Sequence, residues 1–352
     1  MNLKTKLITS IFIFGSVLAT NVFAMEGDES RFDKGFIAIS KKDSDKPAQI
    51  TDTVVMIYPD HFEYNIETSH TNAFQNDIKD FDTKEKALKE FTDMVEILKE
   101  NDIHVLTLKS KEDKTPDAVF PNNWFLTLKD NENMSIVLFP MLNNIRRLER
   151  QEDNLKTLLS SNNIKPTKIL DLTYFEKSGK ALEGTGSLVL DRQNKIAYGS
   201  ISPRTNKEVL EEFSKISGYK SITFQSQDKD NKLIYHTNVM MSIGDGFAVV
   251  CLASITQQQE REEVLNSLKM ANKTIIPISL DQVHSMCGNI LQVKNSKGDK
   301  KIIMSKTAFE AFKKNKQLQD IEKFGKIVSV EIPTIETIGG GSSRCMLAEI
   351  FH

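Results

Sequence analysis

The chain has 352 residues, of which 39% are hydrophobic and 27% are charged, and its formal net charge is −2. This composition is typical of a soluble globular protein with enough apolar residues for a substantial core. The near-neutral charge gives no reason to expect nucleic acid or an anionic membrane surface as a partner.

The N-terminus has the pattern of an exported protein. Two lysines precede an apolar run over residues 7–18, and Val22-Phe23-Ala24 supplies small residues at the two positions that a signal peptidase reads. The apolar run is too short for a comfortable transmembrane helix, so the pattern predicts a signal peptide over residues 1–24. We therefore expect a periplasmic or secreted protein without membrane contact after cleavage, with an uncleaved N-terminal anchor as the alternative.

The segment after the predicted cleavage point differs in composition from the rest of the chain. Residues 25–49 are rich in Lys, Asp, Glu and Ser, which predicts a poorly ordered lead-in. Residues 50–352 would then form a single folded domain. The length of the chain alone allows one domain or two, and the sequence carries no signal for an oligomeric state.

The chain has three cysteines, Cys251, Cys287 and Cys345. An exported protein held together by disulfides usually has an even and denser set, so a disulfide scaffold is not indicated. Either Cys251 and Cys287 pair and Cys345 is free, or all three are thiols. No C-x-x-C motif or His/Cys cluster occurs, so we expect no metal site.

The predicted elements repeat one order along the chain. After the lead-in come a strand at 53–58, a helix at 84–99 and a strand at 103–108, from β-branched runs and helical spacing. Four sets of strand, strand, helix and strand follow, and a last strand lies at 344–351. The four sets are 118–128, 136–140, 144–159 and 168–172; 182–191, 195–200, 206–216 and 220–224; 235–243, 246–252, 256–270 and 274–278; and 288–294, 301–304, 306–314 and 326–331.

The last strand and the first three elements together make a fifth set of the same order. A unit repeated at a near-constant period is the mark of a radial or stacked architecture. A ring of such units removes most exposed sheet edges, as propellers do. We therefore expect an α/β fold of five units closed by both termini, with an α/β protein without rotational symmetry as the alternative.

The first strand of each predicted unit opens with a polar or reactive residue. These residues are 53 to 60 positions apart, and they are Asn122 and Asn123, Glu183, His236, Asn289 and Cys345. Equivalent positions in a ring of repeats face the same centre. The repeat therefore predicts one cavity that gathers a cysteine, a histidine, a carboxylate and several amides.

These residue types suit nucleophilic catalysis. Cys345 follows a glycine-rich turn that lets the backbone approach a ligand closely, and a thiolate nucleophile pairs well with His236 as proton shuttle. Glu183 could orient the imidazole or bind a cationic or ureido group. Trp124, beside two amides, suits the wall of a site for a small planar polar molecule. The structural alternatives are a buried cysteine, a core histidine, a solvated acid and a core tryptophan.

Five motifs in order carry a resemblance to a known family. They are Phe120-Pro121-Asn122-Asn123-Trp124, Leu182-Glu183-Gly184-Thr185-Gly186-Ser187, His236-Thr237-Asn238-Val239-Met240-Met241, Gly288-Asn289, and Gly339-Gly340-Gly341 followed by Cys345. Together they resemble the guanidine-modifying, or pentein, superfamily. The most similar group is that of the amidinotransferase-related citrulline-utilisation hydrolases. The resemblance runs from about residue 54 to residue 351.

The resemblance implies a five-bladed α/β propeller in which residues 50–352 form one catalytic domain. It implies Cys345 as the nucleophile, His236 as the general acid/base and Glu183 as its carboxylate partner, with no metal or organic cofactor. The residues expected to bind the substrate are Asn122, Asn123, Trp124, Asn238 and Asn289.

The chain departs from many guanidine-acting relatives at two motifs. Asn122-Asn123 stands where those relatives have Arg-Asp, and Asn238 stands where they have Asp. An amide donates and accepts hydrogen bonds but supplies no charge, which favours a neutral ureido group over a guanidinium. Succinylarginine dihydrolases also use amides, so arginine itself stays open.

We therefore expect a cofactor-free hydrolase that cleaves a C–N bond of a citrulline- or arginine-like small molecule. Two alternatives remain from the sequence. One is an amidinotransferase on the same fold, in which an amine replaces water. The other is an exported protein that binds arginine or citrulline without turnover.

Overall fold

The computed structural model of the chain describes residues 46–78, 81–111, 114–131 and 133–352. The predicted signal peptide and most of the predicted lead-in lie outside these residues. Gln49, the last residue of that lead-in, is buried, and its amide donates hydrogen bonds to the carbonyls of Leu190 and Ile243 at 2.9 and 3.2 Å. Among the described helices, none is both long and apolar enough to cross a bilayer.

Within the described residues, fifteen strands form five sheets of three strands each. The strands are β1 (Thr53–Ile57), β2 (His104–Leu108), β3 (Phe125–Asp130), β4 (Asn133–Leu138), β5 (Lys168–Asp171), β6 (Leu188–Asp191), β7 (Ile196–Ser200), β8 (Lys220–Phe224), β9 (Met241–Ile243), β10 (Phe247–Val250), β11 (Thr274–Pro277), β12 (Leu291–Lys294), β13 (Lys300–Ser305), β14 (Lys326–Val330) and β15 (Ala348–Ile350). The sheets have the orders β15-β1-β2, β3-β4-β5, β6-β7-β8, β9-β10-β11 and β12-β13-β14.

Each sheet has the same internal pattern. Its first two strands are antiparallel and its last two are parallel, as in β3, β4 and β5. An antiparallel pair needs only a short turn, whereas a parallel pair needs a crossover, and a helix supplies it. The fifth sheet joins the two ends of the chain, because Thr53 pairs antiparallel with Ile350 and parallel with His104. The predicted order of strand, strand, helix and strand, closed by both termini, therefore agrees with the structure.

The crossover helices are amphipathic and lie over the sheets. The α-helices are α1 (Ile66–Ser69), α2 (Thr83–Glu100), α3 (Asn144–Arg147), α4 (Glu152–Ser161), α5 (Gly184–Ser187), α6 (Lys207–Ser217), α7 (Gln258–Met270), α8 (Leu280–His284), α9 (Lys306–Lys314) and α10 (Leu318–Glu322). Helix α6 shows why the sequence folds this way. At its N-terminus, the side chain of Asn206 accepts hydrogen bonds from the backbone N–H groups of Glu208 and Val209. At its C-terminus, Gly218 ends the helix by adopting the left-handed conformation, with a φ of +73°.

The first strand of each unit begins later than the sequence predicts. The predicted strands at 118–128, 182–191 and 235–243 begin in the structure at residues 125, 188 and 241, and a short helical turn precedes each. Close packing between these turns is the reason. A Cβ on Gly184, whose φ is +45°, would lie 2.2 Å from the carbonyl oxygen of Asn122. The polar residues at these positions are therefore held by turns and not by strands.

Candidate active site

The turns before three of the sheets bring their polar residues into contact. Gly186 shows how tightly they pack, because a Cβ there would lie 2.4 Å from Asn123 Nδ2 and 2.6 Å from His236 Nδ1. Only a glycine fits between these two side chains. The Gly-Thr-Gly turn after Glu183 therefore places the amide of Asn123 and the ring of His236 beside one another.

Two amides surround the thiol of Cys345. Asn289 Nδ2 donates to Sγ at 3.2 Å and Asn238 Nδ2 donates at 3.4 Å. The backbone N–H of Cys345 in turn donates to Asn289 Oδ1 at 3.3 Å, which fixes the Asn289 amide with its donor towards the sulfur. Cys345 is 2% exposed. Donors aimed at the sulfur stabilise negative charge on it, which suits a nucleophilic thiol.

His236 is paired with a buried carboxylate, Glu183. Its Nε2 lies 2.8 Å from Glu183 Oε2, and both side chains are buried. A carboxylate accepts hydrogen bonds only, so Nε2 carries the proton and Nδ1 of the neutral ring is left with a lone pair. The pair therefore presents a proton acceptor of fixed orientation.

Two arginines set the protonation of this pair. Arg204 Nη1 lies 3.5 Å and Arg146 Nη1 lies 3.7 Å from Glu183 Oε2. Burial opposes ionisation of Glu183, but the charge of Arg204, the hydrogen bond from His236 and the charge of Arg146 hold the pKa of Glu183 well below its usual range. Burial lowers the pKa of His236 to about 4, against the opposing effect of Glu183. At neutral pH the site therefore holds a carboxylate and a neutral imidazole.

Each arginine is itself held by further partners. Arg146 donates to both carboxylate oxygens of Glu149 at 2.8 and 2.9 Å and to Asn123 Oδ1 at 2.8 Å. Arg204 donates to Thr71 Oγ1 and to the carbonyl of Thr68. These hydrogen bonds hold both guanidinium groups in place. They also offset the cost of burying the two charges, which would be high without such partners.

Several of these groups line one cavity, and the space within it, part of which is open to solvent, is about 250 Å³. Its wall contains Cys345, His236 and Asn123, together with residues that come from distant parts of the chain. The latter are Asn72, Asp117, Phe120, Arg146, Arg204, Tyr235, Gly339 and Gly341. We call this space the catalytic cavity.

Asp117 contributes a buried carboxylate to the wall of the catalytic cavity. The residue is 3% exposed, and its Oδ2 accepts hydrogen bonds from Asn65 Nδ2 at 2.7 Å and from Thr68 Oγ1 at 3.2 Å. Its Oδ1 is buried and has no partner among the described residues. A buried carboxylate oxygen without a partner is costly, so Oδ1 is an acceptor that water or a ligand in the cavity can satisfy.

The predicted substrate-binding residues divide into three groups. Asn123 lines the catalytic cavity, whereas Asn238 and Asn289 contact the thiol of Cys345. Asn122 and Trp124 do not line the cavity. Trp124 is fully buried in the hydrophobic core, where its indole ring packs against Phe125. The aromatic residue in the wall of the cavity is Phe120. The backbone of Asn122 instead packs against the Gly184 turn.

Sequence reasoning missed Asp117, Arg146 and Arg204. Asp117 lies three residues before the first motif, Arg146 lies at the start of the predicted helix 144–159, and Arg204 lies in the connection between two predicted elements. Charged residues in such segments usually face solvent, so no local pattern marks these as buried. Arg204 is held by Thr71, which is 133 positions away in sequence.

The remaining cysteines differ from Cys345. All three cysteines are unpaired, which settles the open question of a disulfide between Cys251 and Cys287. Burial raises the pKa of the Cys251 thiol, and it raises the pKa of Cys287 to about 12. Neither residue lines the catalytic cavity. Their environment is that of structural thiols in a core.

One group of side chains in the described part of the chain has the spacing of metal ligands. It consists of Asp228, Asp230 and His284, whose ligand atoms lie within 4.8 Å of one another. Asp228 is buried, Asp230 is exposed, and His284 Nε2 lies 3.6 Å from Asp228 Oδ2. None of the three lines the catalytic cavity.

Solved structures with the same fold belong to arginine-related proteins. The apo structure of ArgZ, an arginine dihydrolase from the ornithine-ammonia cycle in cyanobacteria, matches with a TM-score of 0.64 and 16% identity over 85% of this chain. AgrE in its ternary complex with ornithine and NAD⁺ matches with a TM-score of 0.65 and 20% identity over 85% of this chain. DDAH from Pseudomonas aeruginosa, complexed with citrulline, matches with a TM-score of 0.59 and 14% identity over 86% of this chain.

The length that these matches cover differs between the relatives. The chain spans 40% of the whole ArgZ chain, 39% of the AgrE chain and 100% of the Pseudomonas protein. It spans 98% of the N-terminal domain of ArgZ. At identities this low, the matches establish that the fold is shared and do not establish a shared function.

Sequence comparison identifies the family. The curated protein sequences contain no significant match to the chain. The family model described as N,N dimethylarginine dimethylhydrolase, eukaryotic, matches residues 58–352. That match covers most of the chain, and it includes every residue of the catalytic cavity named above. The chain therefore belongs to the N,N-dimethylarginine dimethylhydrolase family, within the pentein superfamily of guanidine-modifying proteins.

Proposed function

We propose that this chain is a hydrolase that cleaves a C–N bond of a guanidino or ureido small molecule through a covalent intermediate on Cys345. The observation that carries the proposal is the catalytic cavity itself, where two amides donate to the thiol and Glu183 orients His236. Membership of the N,N-dimethylarginine dimethylhydrolase family supports the same class of reaction. The N-terminal domain of ArgZ has been captured covalently bound to a reaction intermediate.

The proposed reaction has two halves. Sγ of Cys345 attacks the central carbon of the guanidino or ureido group, and a C–S bond forms as the C–N bond to the leaving nitrogen breaks. Neutral His236 takes the thiol proton at Nδ1 and passes it to the leaving amine or ammonia. Water, deprotonated by His236, then attacks the same carbon, and the C–S bond breaks to restore the thiol. These steps use only the side chains and water, without a metal or organic cofactor.

The charges around the catalytic cavity favour a zwitterionic amino acid as substrate. Asp117 offers a free carboxylate oxygen to a cation, and Arg204 offers positive charge to an anion. Arginine, citrulline and dimethylarginine all carry an α-ammonium and an α-carboxylate group. The amides of Asn123, Asn238 and Asn289 would then face the polar end of the side chain, where they can pair with a charged or a neutral planar group.

The arrangement of the sheets supports this assignment. The five sheets share one internal order, and the turn before each first strand carries Asn123, Glu183, His236, Asn289 or Cys345. We propose that the sheets are the blades of a five-bladed propeller, with these turns directed towards its centre. A propeller brings residues far apart in sequence to one point, as the reaction requires.

The proposed site of action is outside the cytoplasm, because residues 1–24 have the pattern of a signal peptide. A thiol nucleophile in an oxidising compartment must avoid disulfide exchange. The narrow cavity around Cys345, which is 2% exposed, would protect it. N-terminal sequencing of the native protein from fractionated cells tests this proposal, and a start at Met1 in the cytoplasmic fraction would reject it.

The experiment that tests the function is a substrate panel with a trapping step. We expect the protein to release ammonia or an amine from at least one of arginine, citrulline, dimethylarginine and succinylarginine. Agmatine, which lacks the α-carboxylate, should be turned over poorly. Rapid acid quenching followed by mass spectrometry should find an adduct on the peptide that contains Cys345.

Variants at two buried cysteines make the test specific. Cys345→Ala should abolish product and adduct while Cys251→Ala, which removes a thiol outside the cavity, should retain both. Turnover by Cys345→Ala would refute the covalent mechanism. Substrate binding without turnover by the unaltered protein would support a binding protein, and product only in the presence of an added amine would support an amidinotransferase.

A further inference from the structure

A second cavity lies near Cys345, because Arg344, the residue before it in sequence, is part of the wall. Its wall also includes Arg192, Glu349, Asn238 and Ser242, and the space within it, part of which is open to solvent, is about 370 Å³. Arg192 is 4% exposed and Arg344 is 8% exposed. We call this space the Arg192 cavity. It shares no lining residue with the catalytic cavity.

The charged side chains that line the Arg192 cavity carry a net positive charge. Two guanidinium groups face one carboxylate there, because Glu349 Oε2 accepts a hydrogen bond from Arg344 Nη2 at 2.8 Å and lies 3.8 Å from Arg192 Nη2. Burial lowers the pKa of Arg344, and the charge of Arg192 adds to this effect while Glu349 opposes it. One of the two positive charges is therefore not balanced within the lining.

Three residues of the Arg192 cavity have polar side-chain atoms without a hydrogen-bond partner, as in a site that binds a polar ligand. Arg192 Nη2 and Ser242 Oγ are buried donors without a hydrogen-bond partner among the described residues, and Asn238 Oδ1 is a buried acceptor in the same position. The other end of the Arg192 guanidinium is fixed, since Nη1 donates to the carbonyl of Thr127 at 3.1 Å and the group stacks on Phe351 at 3.9 Å. Buried donors of this kind are normally satisfied.

We propose that the Arg192 cavity binds a small monovalent oxyanion of the carboxylate type, such as formate or bicarbonate. A trigonal oxyanion matches the planar donors of a guanidinium group and supplies the single negative charge that the lining lacks. Ser242 Oγ supplies a second donor. Bicarbonate would in addition donate a hydrogen bond from its O–H group to Asn238 Oδ1, which formate cannot do. Tighter binding of bicarbonate than of formate would therefore show that Asn238 Oδ1 contacts the anion.

The bound anion would act on the segment that carries the thiol. Arg344 directly precedes Cys345 in sequence, and Asn238 lines the Arg192 cavity while its amide donates to Cys345 Sγ. The anion would therefore stabilise the wall between the two cavities. The inference depends on the lining of the Arg192 cavity and stands whether or not the proposed catalytic reaction is correct.

Thermal unfolding of the full protein under titration with formate or bicarbonate tests the proposal, with chloride at equal ionic strength as reference. We expect a saturable rise in the melting temperature with the oxyanions only. Arg192→Gln should weaken the apparent affinity by about 10- to 100-fold, the range for a hydrogen bond to a charged group. An equal rise with chloride, or an unchanged response of Arg192→Gln, would overturn the proposal.

Two serine variants guard against a folding defect in Arg192→Gln. Ser242→Ala removes an unpartnered hydroxyl, so it should not destabilise the free protein but should reduce the apparent affinity for formate. Ser329→Ala removes another buried unpartnered hydroxyl, which lies outside the Arg192 cavity, and should leave the affinity unchanged. Equal responses of the two serine variants would contradict the assigned site.

Discussion

The catalytic cavity and the Arg192 cavity are each built around two buried arginines and one glutamate. In the catalytic cavity, Glu183 lies between Arg204 and Arg146 and accepts the hydrogen bond of His236. In the Arg192 cavity, Glu349 lies between Arg344 and Arg192 without a histidine. The same three charges therefore occur twice in the chain in different surroundings.

The two cavities differ in the number of further carboxyl groups that lie beside their arginines. Asp117 and Glu149 add two carboxyl groups beside Arg146, and burial raises the pKa of Glu149 to about 7, so Glu149 is only partly ionised at neutral pH. The lining of the Arg192 cavity has no such additions, so Arg192 Nη2 stays without a hydrogen bond. A buried arginine pair can thus stabilise a catalytic carboxylate or attract an anion, depending on how many carboxylates accompany it.

The largest expected effect comes from neutralising Glu183. Glu183→Gln removes the charge that orients His236, and we expect kcat to fall by about 10³-fold, within the range for loss of such an orienting carboxylate. It also leaves two buried arginines less compensated, which should lower the free energy of unfolding by about 3–5 kcal/mol. Steady-state kinetics and denaturant unfolding measure the two effects.

Glu349→Gln is the matched control for this change, because it breaks the corresponding pair in the other cavity. We expect it to lower stability but to leave kcat within about threefold, because the partners of the Glu349 carboxylate are Arg344 and Arg192. In the described part of the chain it makes no hydrogen bond or ion pair to Cys345 or His236. Equal losses of kcat in both variants would show that the effect is general destabilisation.

The second prediction concerns the pH dependence of stability. The pKa of His236 is about 4 in the folded protein against an ordinary value of 6.5, so the unfolded chain binds more protons between these pH values. This contribution, about 3 kcal/mol, is complete above pH 6.5 and is lost as pH falls through 4. Urea unfolding from pH 4 to 7 should show the slope in the unaltered protein. A His236→Gln variant with the same slope would contradict the assignment.

The third prediction concerns the free oxygen of Asp117. Asp117→Asn keeps the size of the side chain but removes the negative charge, so KM for a zwitterionic substrate should rise by about 10- to 100-fold. We expect a small change in kcat, since Asp117 binds without taking part in proton transfer. Asp228→Asn, another buried aspartate outside the cavity, is the control. A loss confined to kcat would assign Asp117 a different role.

The smallest effect on turnover is expected from Arg192→Gln. In a buffer without oxyanions, kcat and KM should both stay within about threefold of the unaltered values, because Arg192 contacts neither the thiol nor the proton acceptor. Loss of turnover under these conditions would mean that the two cavities are not separate in function.

The general architecture could be predicted from local patterns. Strands and helices follow hydrophobic periods of about 2 and 3.6 residues, and the resulting order predicted five units closed by both termini. Family resemblance was also visible, because its motifs are contiguous in sequence, and the family match confirms it. The short turns before the first strands were missed, since they depend on contacts such as that between Gly184 and Asn122.

The candidate site was predictable only in part. Equivalent positions in the repeat indicated Cys345, His236, Glu183 and Asn123, and the structure brings these together. Trp124 was expected at the cavity, but an aromatic residue beside a functional motif can equally fill the core, and the sequence does not distinguish the two.

The sequence by itself determined the order of the elements, the repeat and the motifs that contain the proposed reactive residues, because these depend on neighbours a few positions apart. Only the tertiary structure decided which charges are buried together. Arg204 meets Thr71 across 133 positions, and Arg192 meets Glu349 from another unit. The free energy of a buried charge depends on such distant partners, so no local pattern could reveal either arginine pair.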